Sequence, residues 1–183
     1  MQNKTYKMIL VSLFAALTAI GAFFKIPLPP VPFTLQIFFV ILAGMILGSR
    51  LGFASQAIYV AIGLVGVPVF ANGGGIEYVN NPTFGFLLGF ALTAFIVGFI
   101  TEKSSKPTMV TYTVASFIGV LAAYAVGIPY LYMILKFVLH VDKDFSTIIV
   151  KYFLLYLPWD IVKIIVASWV AKEVTRRVKV VAR

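Results

Sequence analysis

Asp160 and Lys163 interrupt an otherwise apolar run, Tyr156 to Ala167, that reads as the opening of a membrane helix. An ionisable group inside such a segment costs on the order of 2.5–3.5 kcal/mol by insertion scales, so it usually faces a protein interior and has a task there. Pro158 suits the first helical turn, where its missing N–H costs nothing. Asp160 then falls where the helix dipole favours an anion, and Lys163 follows three residues later on the same face. A carboxylate accepts N–H donors and an ammonium donates to carbonyl or carboxylate oxygens. A pair so placed points to a small polar ligand at a membrane edge. Tyr156 and Trp159 flank it and are candidates to stack on a flat ligand.

The elements that must position this pair are membrane spans. Of 183 residues, 61% are hydrophobic and 11% charged; a soluble domain carries about twice that charge. The apolar runs predict six spans, at about 8–24, 34–48, 51–70, 84–100, 109–128 and 158–171, most near the ~20 residues that cross the hydrocarbon. The first is too long, and lacks the small-residue cleavage site, for a removable signal peptide. The length fits one membrane-embedded substrate-binding domain over 1–183. There is no cysteine, which excludes disulfides and thiolate metal sites. The single histidine, His140, excludes a multi-histidine metal site, and no metal or cofactor is expected.

A net charge of +9 would suit nucleic acid, but no basic–aromatic surface stretch of useful length exists. Orientation in a lipid bilayer explains it better. Lys4, Lys7, Arg50, Lys103, Lys106, Lys172, Arg176, Arg177, Lys179 and Arg183 border one set of span ends. Both termini are therefore expected in the cytoplasm of a multi-pass plasma-membrane protein, with the Asp160 end external.

The external loops are long and apolar. Loop one, Lys25 to Phe33, holds four prolines that impose an extended backbone. Loop three runs from Gly66 to Pro82, and loop five from Gly127 to Leu157, with an interfacial or re-entrant helix expected at Phe145–Phe153. Such loops make sense folded over a pocket. Gly73-Gly74-Gly75 resembles a phosphate cradle but lacks the order of a nucleotide loop, and no helix is expected directly after it. It is either a flexible turn or a close approach to ligand. Asn80 sits at a helix entry and is a candidate polar contact. Gln56, within span three, has a neighbouring helix as its more natural partner, with ligand contact the alternative. Ala15 and Ala19 give span one a surface for close helix approach, and Gly44, Gly48, Gly52, Gly85 and Gly89 repeat the four-residue spacing.

A phosphate loop for ATP hydrolysis is missing. Asp160 is the only carboxylate in a span, which disfavours an ion-driven pump, and nothing resembles an inverted repeat. No second acid or activated nucleophile completes an enzyme. Two other readings remain open, a self-sufficient facilitator or channel and a lipid-directed enzyme using Asp160 and Lys163.

Three segments carry a resemblance: Ile26-Pro27-Leu28-Pro29-Pro30-Val31-Pro32-Phe33-Thr34-Leu35-Gln36, Gly66 to Gly75, and Pro158-Trp159-Asp160-Ile161-Val162-Lys163. In that order they are similar to the BioY proteins, biotin-binding S components of energy-coupling factor transporters. Asn81-Pro82-Thr83-Phe84-Gly85-Phe86 departs from the Gly-Pro-Thr-Gly-Gly-Tyr-like run common in the family. The resemblance implies an all-α membrane protein of six transmembrane helices, with an extracellular substrate pocket covered by loops one, three and five. It implies no enzyme activity, with biotin as transported ligand rather than cofactor, or another small vitamin as the alternative. It also implies a membrane T component, docking at Ala15 and Ala19, and two cytoplasmic ATPases. Asp160 can accept a ureido N–H of biotin, and Lys163 can donate to the ureido oxygen or to the tail carboxylate. Asn80 and the Gly73, Gly74 and Gly75 backbone are candidates for further polar contacts.

Overall fold

The computed structural model describes residues 4–141 and 143–177. Lys179 and Arg183 of the basic ends lie outside the described residues. The chain folds as α1 (Lys4–Phe23), α2 (Gln36–Leu47), α3 (Ser49–Leu64), α4 (Phe84–Glu102), α5 (Met109–Met133), a short α6 (Phe145–Ile149) and α7 (Leu157–Arg177). These helices are apolar almost all round, which is the pattern of a membrane span and not of a surface helix. Among the described residues, Lys4–Phe23, Phe84–Glu102, Met109–Val138 and Phe145–Arg177 are long and apolar enough to cross a bilayer. At 12 and 16 residues, α2 and α3 are shorter and form a tight hairpin.

Small residues set the helix spacing. A side chain on Gly44 would overlap the Ala94 carbonyl, and one on Gly89 would meet the backbone of Ala123. The four-residue glycine spacing thus serves packing within this chain, as close-approach motifs do in membranes. At the end of the bundle that carries Arg50 and Lys103, the Glu102 carboxylate accepts from the Ser49 N–H (2.9 Å) and hydroxyl (2.7 Å). It therefore caps the exposed amides at the start of α3. Thr108 and Thr111 cap α5 reciprocally, with Thr in the place a capping box usually gives to Glu or Gln.

Several boundaries differ from the sequence reading. Span three stops at Leu64, because Gly66 turns to φ +109° and Pro68 follows. Span five runs on through Pro129 to Met133; neighbouring packing lets a membrane helix tolerate a proline. The helix expected inside loop five begins at Phe145 as α6 and continues through a π-helical turn, Val150–Leu154, towards α7. A 3₁₀ turn, Ile76–Asn80, does follow Gly75. Loop one is a two-residue-per-strand hairpin, β1 (Lys25–Ile26) against β2 (Phe33–Thr34), which folds the proline segment back over the bundle.

Candidate functional site

Loop one, the turn of loop three, and helices α2, α4, α5 and α7 enclose a cavity at the end opposite Arg50 and Lys103. Its deeper wall is apolar, with Phe86, Leu87 and Phe90 from α4 and Val120 and Ala123 from α5. Asp160 and Lys163 enter from the first turns of α7, one face apart by three residues, and both are buried.

Their partners fix them closely. The Lys163 ammonium donates to Asp160 Oδ1 (2.9 Å) and to the Thr34 carbonyl (2.8 Å), and lies 3.7 Å from the Phe33 ring centroid. On the far side, the Tyr124 hydroxyl donates to Asp160 Oδ2 (2.5 Å). The carboxylate keeps lone pairs free for N–H donors, and the ammonium has one N–H beyond its two oxygen partners. Buried ion pairs are a poor source of stability, because desolvation offsets much of their attraction.

The loops are tied down by side chains reaching backbone carbonyls. Tyr156 donates to the Val31 carbonyl (2.7 Å) and Lys25 to that of Ala71. Gln36 donates to the Tyr59 hydroxyl (2.7 Å), which in turn donates to the Val69 carbonyl (3.1 Å). Tyr78, in loop three, bonds Thr83 (2.9 Å); burial pushes its phenol above the ordinary tyrosine range, so it stays neutral. The result is an apolar slot with one charged end.

Of the residues singled out from sequence, Asp160, Lys163 and Tyr156 line the cavity together. Trp159 does not. It is 61% exposed and meets only the outer edge of Phe33 at 6.2 Å, because neighbouring positions on a helix do not share a face. Gln56 is buried between α1 and α3, donating to Thr18 (3.2 Å) and Ser55 (3.0 Å), away from the cavity wall. Gly73, Gly74 and Gly75 are not among the residues that line the cavity. The Phe70–Gly73 pairing and the Gly75 N–H on the Gly63 carbonyl (2.7 Å) close a turn that presents Ala71 and Tyr78 to the cavity. Asn80 is exposed; its neighbour Asn81 folds onto Thr83 by accepting from its N–H and hydroxyl. On α1, Ala15 is buried within the bundle, Ala19 half-buried and Ala16 exposed.

Sequence reading missed Tyr124 and Tyr152, and used Thr34 and Gln36 only as part of a motif. Polar residues inside apolar spans were the available signal, but their direction depends on pairings 23 or more residues apart.

Fold and cavity define an all-α, multi-pass membrane protein with a cavity lined partly by loops at one end of its bundle. The family model for the BioY family matches residues 1–180. A relative named "Probable biotin transporter BioY", from Lysinibacillus sphaericus, is 53% identical over 145 residues, 79% of this chain and 74% of that one. The "Biotin transporter BioY" of Thermotoga maritima is 39% identical over 166 residues, 90% and 93% of the two chains. A crystal structure described as the S-component for biotin from an ECF-type ABC transporter superposes with a TM-score of 0.84. It is 24% identical and covers 96% of this chain and 95% of its own. The chain belongs to the BioY family.

Proposed function

We propose that this chain is the biotin-capturing S component of an energy-coupling factor transporter, and not an enzyme. The observation that carries the reading is the buried Asp160–Lys163 pair on the wall of an otherwise apolar cavity. Biotin offers two ureido N–H donors and one carbonyl on a compact apolar bicycle. Asp160 accepts the donors and Lys163 donates to the carbonyl. With the two charges 2.9 Å apart, both serve the same end of the ligand, which favours the ureido assignment for Lys163 over the tail carboxylate. Tyr156 packs beside the ring, and loops one and three cover it. Purified in detergent, the chain is expected to retain biotin stoichiometrically at equilibrium. Biotin flux into liposomes without stable binding would replace this reading with a facilitator, and turnover of a lipid would replace it with an enzyme.

The cavity faces outward and both termini are cytoplasmic, an orientation supported by the basic residues at the opposite helix ends. A cysteine at Asn72 should be labelled by an impermeant reagent from outside intact cells, and one at Ser104 should not. The reverse pattern would put the pocket on the wrong side for uptake.

Energy comes from a membrane T component and two cytoplasmic ATPases. The T component docks on α1 through Ala19. Ala15, expected from sequence to share this surface, does not: it is 4% exposed and shut inside the bundle. Ala19→Phe should reduce co-purification with the T component while leaving biotin binding within about twofold, because close helix approach needs small side chains. Intact co-purification would move the docking surface elsewhere.

A further inference from the structure

We infer that the Tyr152 hydroxyl is the donor that receives the tail carboxylate of the substrate; the inference rests on the biotin reading above. Tyr152 is 3% exposed and lines the cavity. Among the described residues, three buried side-chain polar atoms lack a hydrogen-bond partner, on Gln56, Tyr152 and Ser168. Of these residues only Tyr152 belongs to the cavity wall. The other tyrosine hydroxyls there are spoken for: Tyr124 by Asp160, Tyr156 by Val31 and Tyr78 by Thr83. A buried phenol with no partner is costly, and evolution tolerates it most readily where a ligand supplies the partner.

Position and chemistry then select the ligand atom. Tyr152, Tyr156 and Asp160, spaced four residues apart from the π-helical turn into α7, all line the cavity. Tyr152 precedes Asp160 by eight residues, which over mixed π- and α-helical turns is on the order of 10 Å along the axis. That separation is comparable with the reach of an extended substrate from ureido ring to carboxylate. Tyr152 also sits within the π-helical turn Val150–Leu154, and such turns are frequent where a side chain is re-aimed at a functional site. The ureido donors and carbonyl already have Asp160 and Lys163. The carboxylate, an acceptor only, is the remaining polar group of the ligand, and Tyr152 is the cavity-wall side chain whose buried polar atom has no partner at all.

The test crosses two proteins with two ligands. Biotin and its decarboxylated analogue, the same bicycle and chain ending in a methyl group, are titrated into the parent and into Tyr152→Phe. Loss of a hydrogen bond to a charged group should weaken biotin by about tenfold or more. The analogue should bind both proteins within about twofold, and thermal stability without ligand should not fall in the variant. Equal weakening of both ligands, no weakening of either, or a less stable variant would each overturn the inference. A parent chain that binds no biotin overturns the functional reading as well, whereas Tyr152→Phe binding like the parent overturns this inference alone.

Discussion

Asp160→Asn should weaken biotin binding by roughly 30-fold to several thousand-fold, the equivalent of ~2–5 kcal/mol for removing one partner of a buried, hydrogen-bonded charge pair at a binding site. The substitution preserves shape. What it removes is the charge that offsets Lys163, whose other oxygen partner is the neutral Thr34 carbonyl. It also presents an amide N–H where Tyr124 now donates, so one of two donors loses its acceptor. Lys163→Ala should fall in the same range for the mirror reason, and it also releases loop one from α7. The double variant should lose less than the sum of the two singles, since each single leaves the other charge buried and unpaired. Lys143→Ala, exposed on loop five, should change binding by less than about twofold. Isothermal titration of the parent and the four variants with biotin reads all of this. Parent-like binding by both single variants would leave the pair with no role beyond anchoring the start of α7.

The charged pair was legible from sequence because lipid makes a charge inside an apolar run conspicuous. The spans were legible for a related reason: with no water to satisfy the backbone, each crossing must be a continuous apolar helix. Span ends were less so. Pro129 reads as a stop locally, yet packing around α5 carries the helix past it to Met133. Within the site, Tyr156 and Trp159 were named alike as flanking the pair, and Tyr156, four residues before Asp160, does line the cavity. Trp159 does not, since adjacency in sequence turns a helical side chain by about 100°. Tyr124 was invisible for a different reason. Its relation to Asp160 is set by how α5 crosses α7, and a tyrosine in a membrane span is more often an interfacial anchor. The glycine triplet shows the same limit. Its residue types announced a turn or a close approach, but only the fold reveals that Gly74 packs against the backbone of Gly63 and Val67.

That last point carries the second large expectation: Gly74→Ala should weaken biotin binding by about tenfold or more while the helical bundle stays folded. A Cβ at Gly74 would overlap the Val67 carbonyl and crowd that of Gly63. Both are backbone, so no flexible side chain can yield. Forcing extra atoms into a packed site typically costs ~1–3 kcal/mol. Here the strain is relieved most readily by shifting the turn, whose backbone anchors beside Gly74 are the Phe70–Gly73 pairing and the Gly75–Gly63 bond. Moving the turn carries Ala71 and Tyr78 with it, and with Ala71 the carbonyl that holds Lys25 of loop one. Two cover loops then lose register over the cavity although no ligand contact has been altered directly. The expected signature is a faster biotin off-rate with near-parental helicity by circular dichroism. Unchanged binding would mean that loop three tolerates the shift and plays no part in closing the cavity. A collapse of helicity would mean that the turn is a foundation of the bundle itself.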